Sequence, residues 1–276
     1  MKVKALQKLR QKLKKNEPIY GLWVTLESVS ITEMAVALGL DWVLIDAEHG
    51  HLDWKDINSH ISAALRSDTV VLVRIAERST ILCKRALDIG ADGIMIPWME
   101  KVEDLEEAVR DCLYPPEGRR GIGGERASAW GQCLNEHAAE ANENVLIIPI
   151  IESIAAIPNI PSMCKVDGID MFFFGPADFS STAGFRGQWE GPGVAEQILS
   201  LKDTIKAAGK HCGVVSTSNQ NITDRLDQGF QMLALGTDSG LLLRSLHQSL
   251  KKIDRDRSLA TSLDPADGHV MSDSDS

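Results

Sequence analysis

Residues 145–180 read VLIIPIIESIAAIPNIPSMCKVDGIDMFFFGPADFS, and the fold turns on them. Two apolar runs, Val145–Ile151 and Met171–Phe174, each lead into a carboxylate, Glu152 and Asp178. Runs this short and this uniformly apolar read as strands buried on both faces, the habit of parallel sheets. The connector Ser153–Lys165 is long enough to cross back as a helix, and Pro158 and Pro161 predict that this helix is broken. A strand–crossover–strand unit puts both carboxylates at the C-terminal edge of neighbouring strands, on one side of the sheet. Two acids there can hold a hard divalent cation and leave its other positions to water or substrate.

Outward from that unit the same alternation repeats. Upstream, residues 2–15 (KVKALQKLRQKLKK) form a basic amphipathic helix, read as a lid on the bottom of the fold. Strands are expected at Ile19–Leu26, Trp42–Asp46, Val70–Ile75 and Gly93–Pro97. Helices are expected at Ser30–Leu38, Asp53–Arg66, Thr80–Ile89 and Val102–Leu113. Downstream come an insert at Gly184–Gly193, a helix at Val194–Ala208, a strand at Cys212–Ser216 and a helix at Ile222–Gln228. The last strand is Met232–Gly236, followed by a capped helix at Leu241–Lys252. Eight strands alternating with helices predict an α/β fold, a single-domain TIM (β/α)8 barrel over residues 1–256. An open doubly wound sheet is the competitor, but no Gly-rich dinucleotide fingerprint follows the first strand. The Asp- and Ser-rich tail, 257–276, reads as disordered. Tyr114–Gly131 (YPPEGRRGIGGERASAWG) has no clear period, and a loop of that length reads as an active-site or interface loop.

Composition bounds the function. The chain has 276 residues, enough for one barrel of about 250 residues. A formal net charge of -10 argues against nucleic acid or an anionic membrane as partner. Five scattered cysteines without CxxC spacing give neither a disulfide framework nor a zinc site, and they suit a reducing cytoplasm. No apolar run approaches the length of a membrane span.

Catalysis in barrels lies at the C-terminal ends of the strands. Here those ends carry Thr25 and Glu27; Asp46, Glu48 and His49; Arg74; Pro97; Glu152; Asp178; Ser216; and Asp238. No lysine is among them, which argues against an imine-forming aldolase. Glu152 or Asp178 alone could simply cap the next helix, Arg74 could be a buried ion-pair partner, and His49 could be a loop residue. Taken together they suggest a metal pair, a guanidinium, and a base in His49 that Asp46, three residues earlier, could orient. His51 has no evident chemical role.

GLW (Gly21–Trp23), DWVLIDAEHG (Asp41–Gly50), YPPEGRRG (Tyr114–Gly121), IES (Ile151–Ser153) and GPADFS (Gly175–Ser180) occur in order at barrel spacings. In these motifs, over roughly Tyr20 to Lys251, the chain resembles the HpcH/HpaI family of metal-dependent class II 2-oxo acid aldolases. The resemblance implies a divalent ion (Mg, Mn or Co) held by Glu152 and Asp178. A small 2-oxo acid would be bound by Arg74, Trp23 and the Gly175-Pro176-Ala177-Asp178 turn, with amides around Ala177 taking its carboxylate. Arg74 would stabilise the enolate oxygen, and His49, paired with Asp46, would take the 4-hydroxyl proton. The implied products are pyruvate and an aldehyde. The implied assembly is a homo-oligomer, a hexamer with exchanged C-terminal helices.

The chain departs from the family in three places. Ile150 stands where a Gln of the metal and water environment is expected, His51 replaces a small residue or Pro, and the loop after YPPEGRRG is short, with its own Arg126 and Trp130. That loop is expected to contribute to the aldehyde pocket. Two other functions compete with the aldolase. One is oxaloacetate decarboxylation or acyl-CoA cleavage of the citrate-lyase type, though the only basic cluster for CoA is Arg119, Arg120 and Arg126. The other is a non-catalytic metabolite-binding barrel.

Overall fold

Residues 1–255 are described by a computed structural model, in which the eight strands are β1 (Ile19–Val24), β2 (Trp42–Asp46), β3 (Val70–Arg74), β4 (Gly93–Ile96), β5 (Leu146–Ile151), β6 (Met171–Phe174), β7 (His211–Val215) and β8 (Met232–Thr237). They pair in parallel in chain order, and β8 returns to β1, so the sheet is a closed barrel and not the open competitor. Among the described residues the helices are α1 (Val3–Lys14), α2 (Ser30–Ala37), α3 (Trp54–Ala63), α4 (Thr80–Asp88), α5 (Val102–Cys112) and α6 (Leu134–Asn144), then α7 (Ile160–Met163), α8 (Pro176–Thr182), α9 (Ala195–Ala207), α10 (Asn219–Asp227) and α11 (Asp238–Lys251). None is long and apolar enough to cross a membrane. The tail expected to be disordered lies outside the described residues.

The strands are apolar throughout because both faces are buried, and their period of two sorts them into separate cores. Trp42, Leu44, Val70, Leu72, Ile148 and Phe173 point inward and pack on one another. Their neighbours Val43, Ile45, Val71, Val73, Ile147 and Phe172 point outward under the helices. Trp42 fills the barrel so tightly that a Cβ on Gly21 would lie 2.1 Å from its ring, which is why β1 carries glycine there. Helix α1 closes the N-terminal end: Ala5, Leu6, Leu9 and Leu13, at helical spacing, join the inward cluster. Lys2 fastens this plug, its Nζ donating to the carbonyls of Ala64 (3.0 Å) and Thr69 beside Asp92.

One local reading holds and two change. The connector after β5 is broken as its prolines predict, into a 3-10 turn at Ile154–Asn159 and the short α7. Helix α6 has no counterpart in the sequence reading. It buries only Ala141 and Asn144, too few positions to show a period. The loop 114–131 lies at the foot of the barrel, away from the active end. Arg120 pairs with Asp88 at the end of α4 (2.8 Å), and Arg126 donates to the Ile89 carbonyl (2.9 Å). In this chain it therefore contributes nothing to the pocket at the strand ends.

Candidate active site

The C-terminal ends of the strands enclose a cavity of about 350 Å³. Asp46, His49, Arg74, Glu152 and Asp178 all line it. So do Trp23 and the turn Gly175-Pro176-Ala177. The local sequence explains the placement. Glu152 directly follows β5, while Gly175 and Pro176 turn β6 into α8 and put Asp178 in that helix's first turn. No lysine lines the cavity.

Glu152 is 2% exposed. Its Oε1 accepts the Trp98 backbone N–H at 2.8 Å, and Trp98 supplies that bond from a left-handed conformation, φ 55°. A Cβ on Gly175 would come within 2.6 Å of Glu152 Oε2, so glycine is what lets the carboxylate sit there. Burial pushes the Glu152 carboxyl up to about 7; the Trp98 N–H opposes this, and the nearby Glu48 and Asp178 charges add to it. A buried and a half-buried carboxylate crowded by like charge fit a hard divalent cation, which would reverse that repulsion. Among the described residues no cluster of three or more acidic, His or Cys groups suits a metal, so Glu152 and Asp178 would supply two positions and leave the rest open.

Arg74 lies opposite, 5% exposed and 4.6 Å from the centre of the Trp23 ring. Its partner is Asp46, which neighbours it in the β2–β3 register. Nε donates to Oδ1 at 2.9 Å and Nη2 donates to Oδ2. Asp46 also accepts from Trp23 Nε1 (2.9 Å) and from the backbone N–H groups of Glu48 (3.0 Å) and His49 (3.2 Å). This corrects the pairing expected from spacing: Asp46 holds Arg74 and the backbone of the following turn, not the His49 ring. His49 is exposed at the cavity wall.

Glu48, left without a role by the sequence, proves part of this network. Its Oε2 lies 2.7 Å from Arg74 Nη1, close enough for attraction but not aligned as a hydrogen bond. Nη1 therefore keeps directional donor capacity. Burial raises the Glu48 carboxyl above its usual range, against the pull of Arg74. Two further residues were invisible in the sequence: Trp98, whose side chain is exposed, and Trp189 of the 184–193 insert, which lines the cavity. Ile150 is buried and lines the cavity as well, an apolar wall beside Glu152. His51 faces Glu27 at 3.3 Å on the surface, outside the cavity. Asp238 is structural: it accepts from Thr25 N and Oγ1 and Leu26 N, tying β1 to the end of β8.

Comparison with known proteins agrees with this architecture. A hydroxypyruvate/pyruvate aldolase of Roseobacter denitrificans is 33% identical over 87% of this chain and 94% of its own length. A 4-hydroxy-2-oxovalerate aldolase of Rhodococcus jostii is 33% identical over 81% of this chain and 87% of its own. The crystal structure of a family protein from Burkholderia cenocepacia J2315 superposes with a TM-score of 0.85 at 32% identity, covering 90% of this chain and 99% of that one. The HpcH/HpaI aldolase/citrate lyase family model matches residues 19–245, the whole barrel from β1 into α11. The chain belongs to the HpcH/HpaI aldolase/citrate lyase family, and it is a carbon–carbon lyase of that family.

Proposed function

We propose that the chain is a class II, divalent-metal-dependent aldolase that reversibly cleaves a 4-hydroxy-2-oxo acid to pyruvate and an aldehyde. One observation carries the reading: Glu152 and Asp178 share a single cavity with Arg74 and His49, and no lysine is present. Glu152 and Asp178 would hold magnesium, manganese or cobalt. When bound, the ion supplies a Lewis acid toward the keto oxygen of the 2-oxo acid. The backbone amides at Ala177 and Asp178 take the substrate carboxylate. His49 removes the 4-hydroxyl proton as the C3–C4 bond breaks, and the aldehyde leaves with that oxygen as its carbonyl. The electron pair passes to C3 and is delocalised onto the keto oxygen, where Arg74 Nη1 donates. Returning the proton to C3 completes pyruvate. A guanidinium aimed where charge develops is worth about 3 kcal/mol, and the base a factor of about 10²–10⁴.

A second reading has one observation in its favour. The His49 ring has no partner in Asp46, and oxaloacetate decarboxylation needs the cation and Arg74 but no base. Copies of the chain assemble with one another, as a hexamer by family resemblance; Leu242, Leu243 and Leu246, exposed on α11, support a face that another copy covers. The five unpaired cysteines support a cytoplasmic setting.

The test is to strip the protein with a chelator and follow pyruvate release from short 4-hydroxy-2-oxo acids and from oxaloacetate, with and without added magnesium or manganese. Metal-restored release from hydroxy-oxo acids, abolished in Glu152→Ala and cut by about 10² or more in His49→Ala, is the expected result. Release from oxaloacetate alone, indifferent to His49→Ala, moves the answer to the decarboxylase. Failure to bind metal sinks both.

A further inference from the structure

The half of the substrate that becomes pyruvate is accounted for by Glu152, Asp178, Arg74 and the first turn of α8. The other half must meet the walls that remain. Most of these belong to the barrel itself, Val215 and Thr237 at the ends of β7 and β8 among them. One does not. Trp189 comes from the insert between α8 and α9, lines the same cavity, and is 36% exposed.

The insert is held in place at the adjacent residue. Glu190 Oε1 accepts from Arg225 Nη2 at 2.6 Å and from Asn221 Nδ2 at 2.8 Å. Both partners belong to α10 and are buried, Arg225 at 4% and Asn221 at 5% exposure. Asn221 in turn accepts the Thr217 backbone N–H (3.2 Å) at the end of β7. A hydrogen-bonded charge pair rooted in a buried helix face fixes the backbone beside Trp189. The indole is therefore a placed wall on an otherwise irregular loop.

The charge of the cavity decides what that wall can receive. Among its lining residues the acids are Asp46, Glu152 and Asp178, and Arg74 is the only Lys or Arg. Arg74 is held by Asp46 and flanked by Glu48, and its remaining Nη1 is committed to the keto oxygen. A second carboxylate on the substrate would meet like charge with no cation free to answer it. A volume of about 350 Å³ lies at the small end of ligand pockets, and it favours a short substituent.

We infer that Trp189, clamped through Glu190 to Arg225 and Asn221, forms the aldehyde wall of the site and selects short aldehydes with uncharged, apolar substituents. This inference rests on the aldolase reading above. Glu190 is a positioning residue in this scheme and touches no substrate.

The test is pyruvate condensation with two four-carbon aldehydes, butanal and succinic semialdehyde, which differ in a terminal carboxylate. Wild-type enzyme with magnesium is expected to favour butanal in kcat/KM by about tenfold or more. Trp189→Ala should lower kcat/KM for butanal by about 10–100-fold, mainly through KM, and so collapse the ratio between the aldehydes; Trp189→Phe should restore most of it. Glu190→Gln keeps the indole but loosens the clamp, and it should raise KM for butanal while leaving kcat near wild type. A wild-type preference for succinic semialdehyde, or a ratio unmoved by Trp189→Ala in protein of native circular dichroism, overturns the inference. Exchange of pyruvate methyl protons with D2O, followed by NMR on wild type without aldehyde, separates the two levels. Exchange without the aldehyde preference sinks this inference alone, whereas no exchange sinks the aldolase reading and this inference with it.

Discussion

Asp46→Asn separates the two roles that Asp46 could have. In the structure Oδ1 takes Arg74 Nε and the Glu48 and His49 N–H groups, while Oδ2 takes Arg74 Nη2 and Trp23 Nε1. An asparagine that keeps its carbonyl at the first position turns an NH2 group toward two donors at the second. One charge-assisted and one neutral hydrogen bond are lost, together about 3 kcal/mol of stability, within the range for breaking a buried ion pair. Glu48 remains as the counter-charge to Arg74, which keeps the cost from rising further. Activity should fall by about 10²–10³ because the guanidinium is no longer aimed at the keto oxygen. Double-mutant cycles read the mechanism directly. Pyruvate release is measured for Asp46→Asn, Arg74→Lys, His49→Ala and both Asp46 pairs, with urea unfolding alongside. The Asp46–Arg74 coupling should be about 1–3 kcal/mol, the scale for groups in one network, and the Asp46–His49 coupling under about 0.5 kcal/mol. The reverse order would refute the assignment and restore Asp46 as the orienter of the His49 ring.

Two other perturbations test separate parts of the structure. Gly175→Ala puts a methyl group where Glu152 Oε2 sits, so manganese affinity by calorimetry should weaken at least about tenfold while the fold is kept; unchanged affinity would remove Glu152 from the ion. His137 packs edge-on against Tyr114, and burial, then the neighbouring amino-terminal and Arg120 charges, lower its pKa to about 4. The folded protein thus resists a proton that the unfolded chain takes up below about 6.5, so this residue's stabilisation is complete above that pH and is lost on descent toward 4. His137→Phe, which keeps the edge-on packing, should shrink the difference in urea stability between pH 7 and pH 4.5 by on the order of 2 kcal/mol; an equal difference in both proteins defeats the argument.

The barrel was legible because each strand is a short buried apolar run, and strands and helices alternate along the chain outside the stretch from 114 to 144. The rim was legible for the same reason: strand ends can be listed before their neighbours are known. What spacing could not show was partnership. Asp46 and His49 are three apart in sequence, but the β2–β3 register sets Arg74 beside Asp46, and a guanidinium is the stronger claimant for a buried carboxylate. The Arg-rich loop at 114–131 does not reach the pocket of its own chain: arginines suit a lid and an anchor equally, and Asp88 and the Ile89 carbonyl come near only once the barrel closes. Glu190 is an unremarkable acid in an irregular insert until α10 is folded against it.

The plug formed by α1 bears on how the chain is made. Leu6, Leu9 and Leu13 lie more than 200 residues ahead of β8 in the chain, yet the core that covers them draws on β5, β6 and β8. Gln231, just before β8, donates to the Leu13 carbonyl at 3.4 Å. At ribosomal speeds of about 5–20 residues per second, roughly 10–50 s pass between the emergence of α1 and that of β8. Until then the apolar stripe lacks its β5, β6 and β8 partners, while Lys4, Lys8, Lys14 and Lys15 on the other face are exposed in the finished protein. A helix that emerges well before β8 is therefore fully buried only when β8 closes the barrel over it.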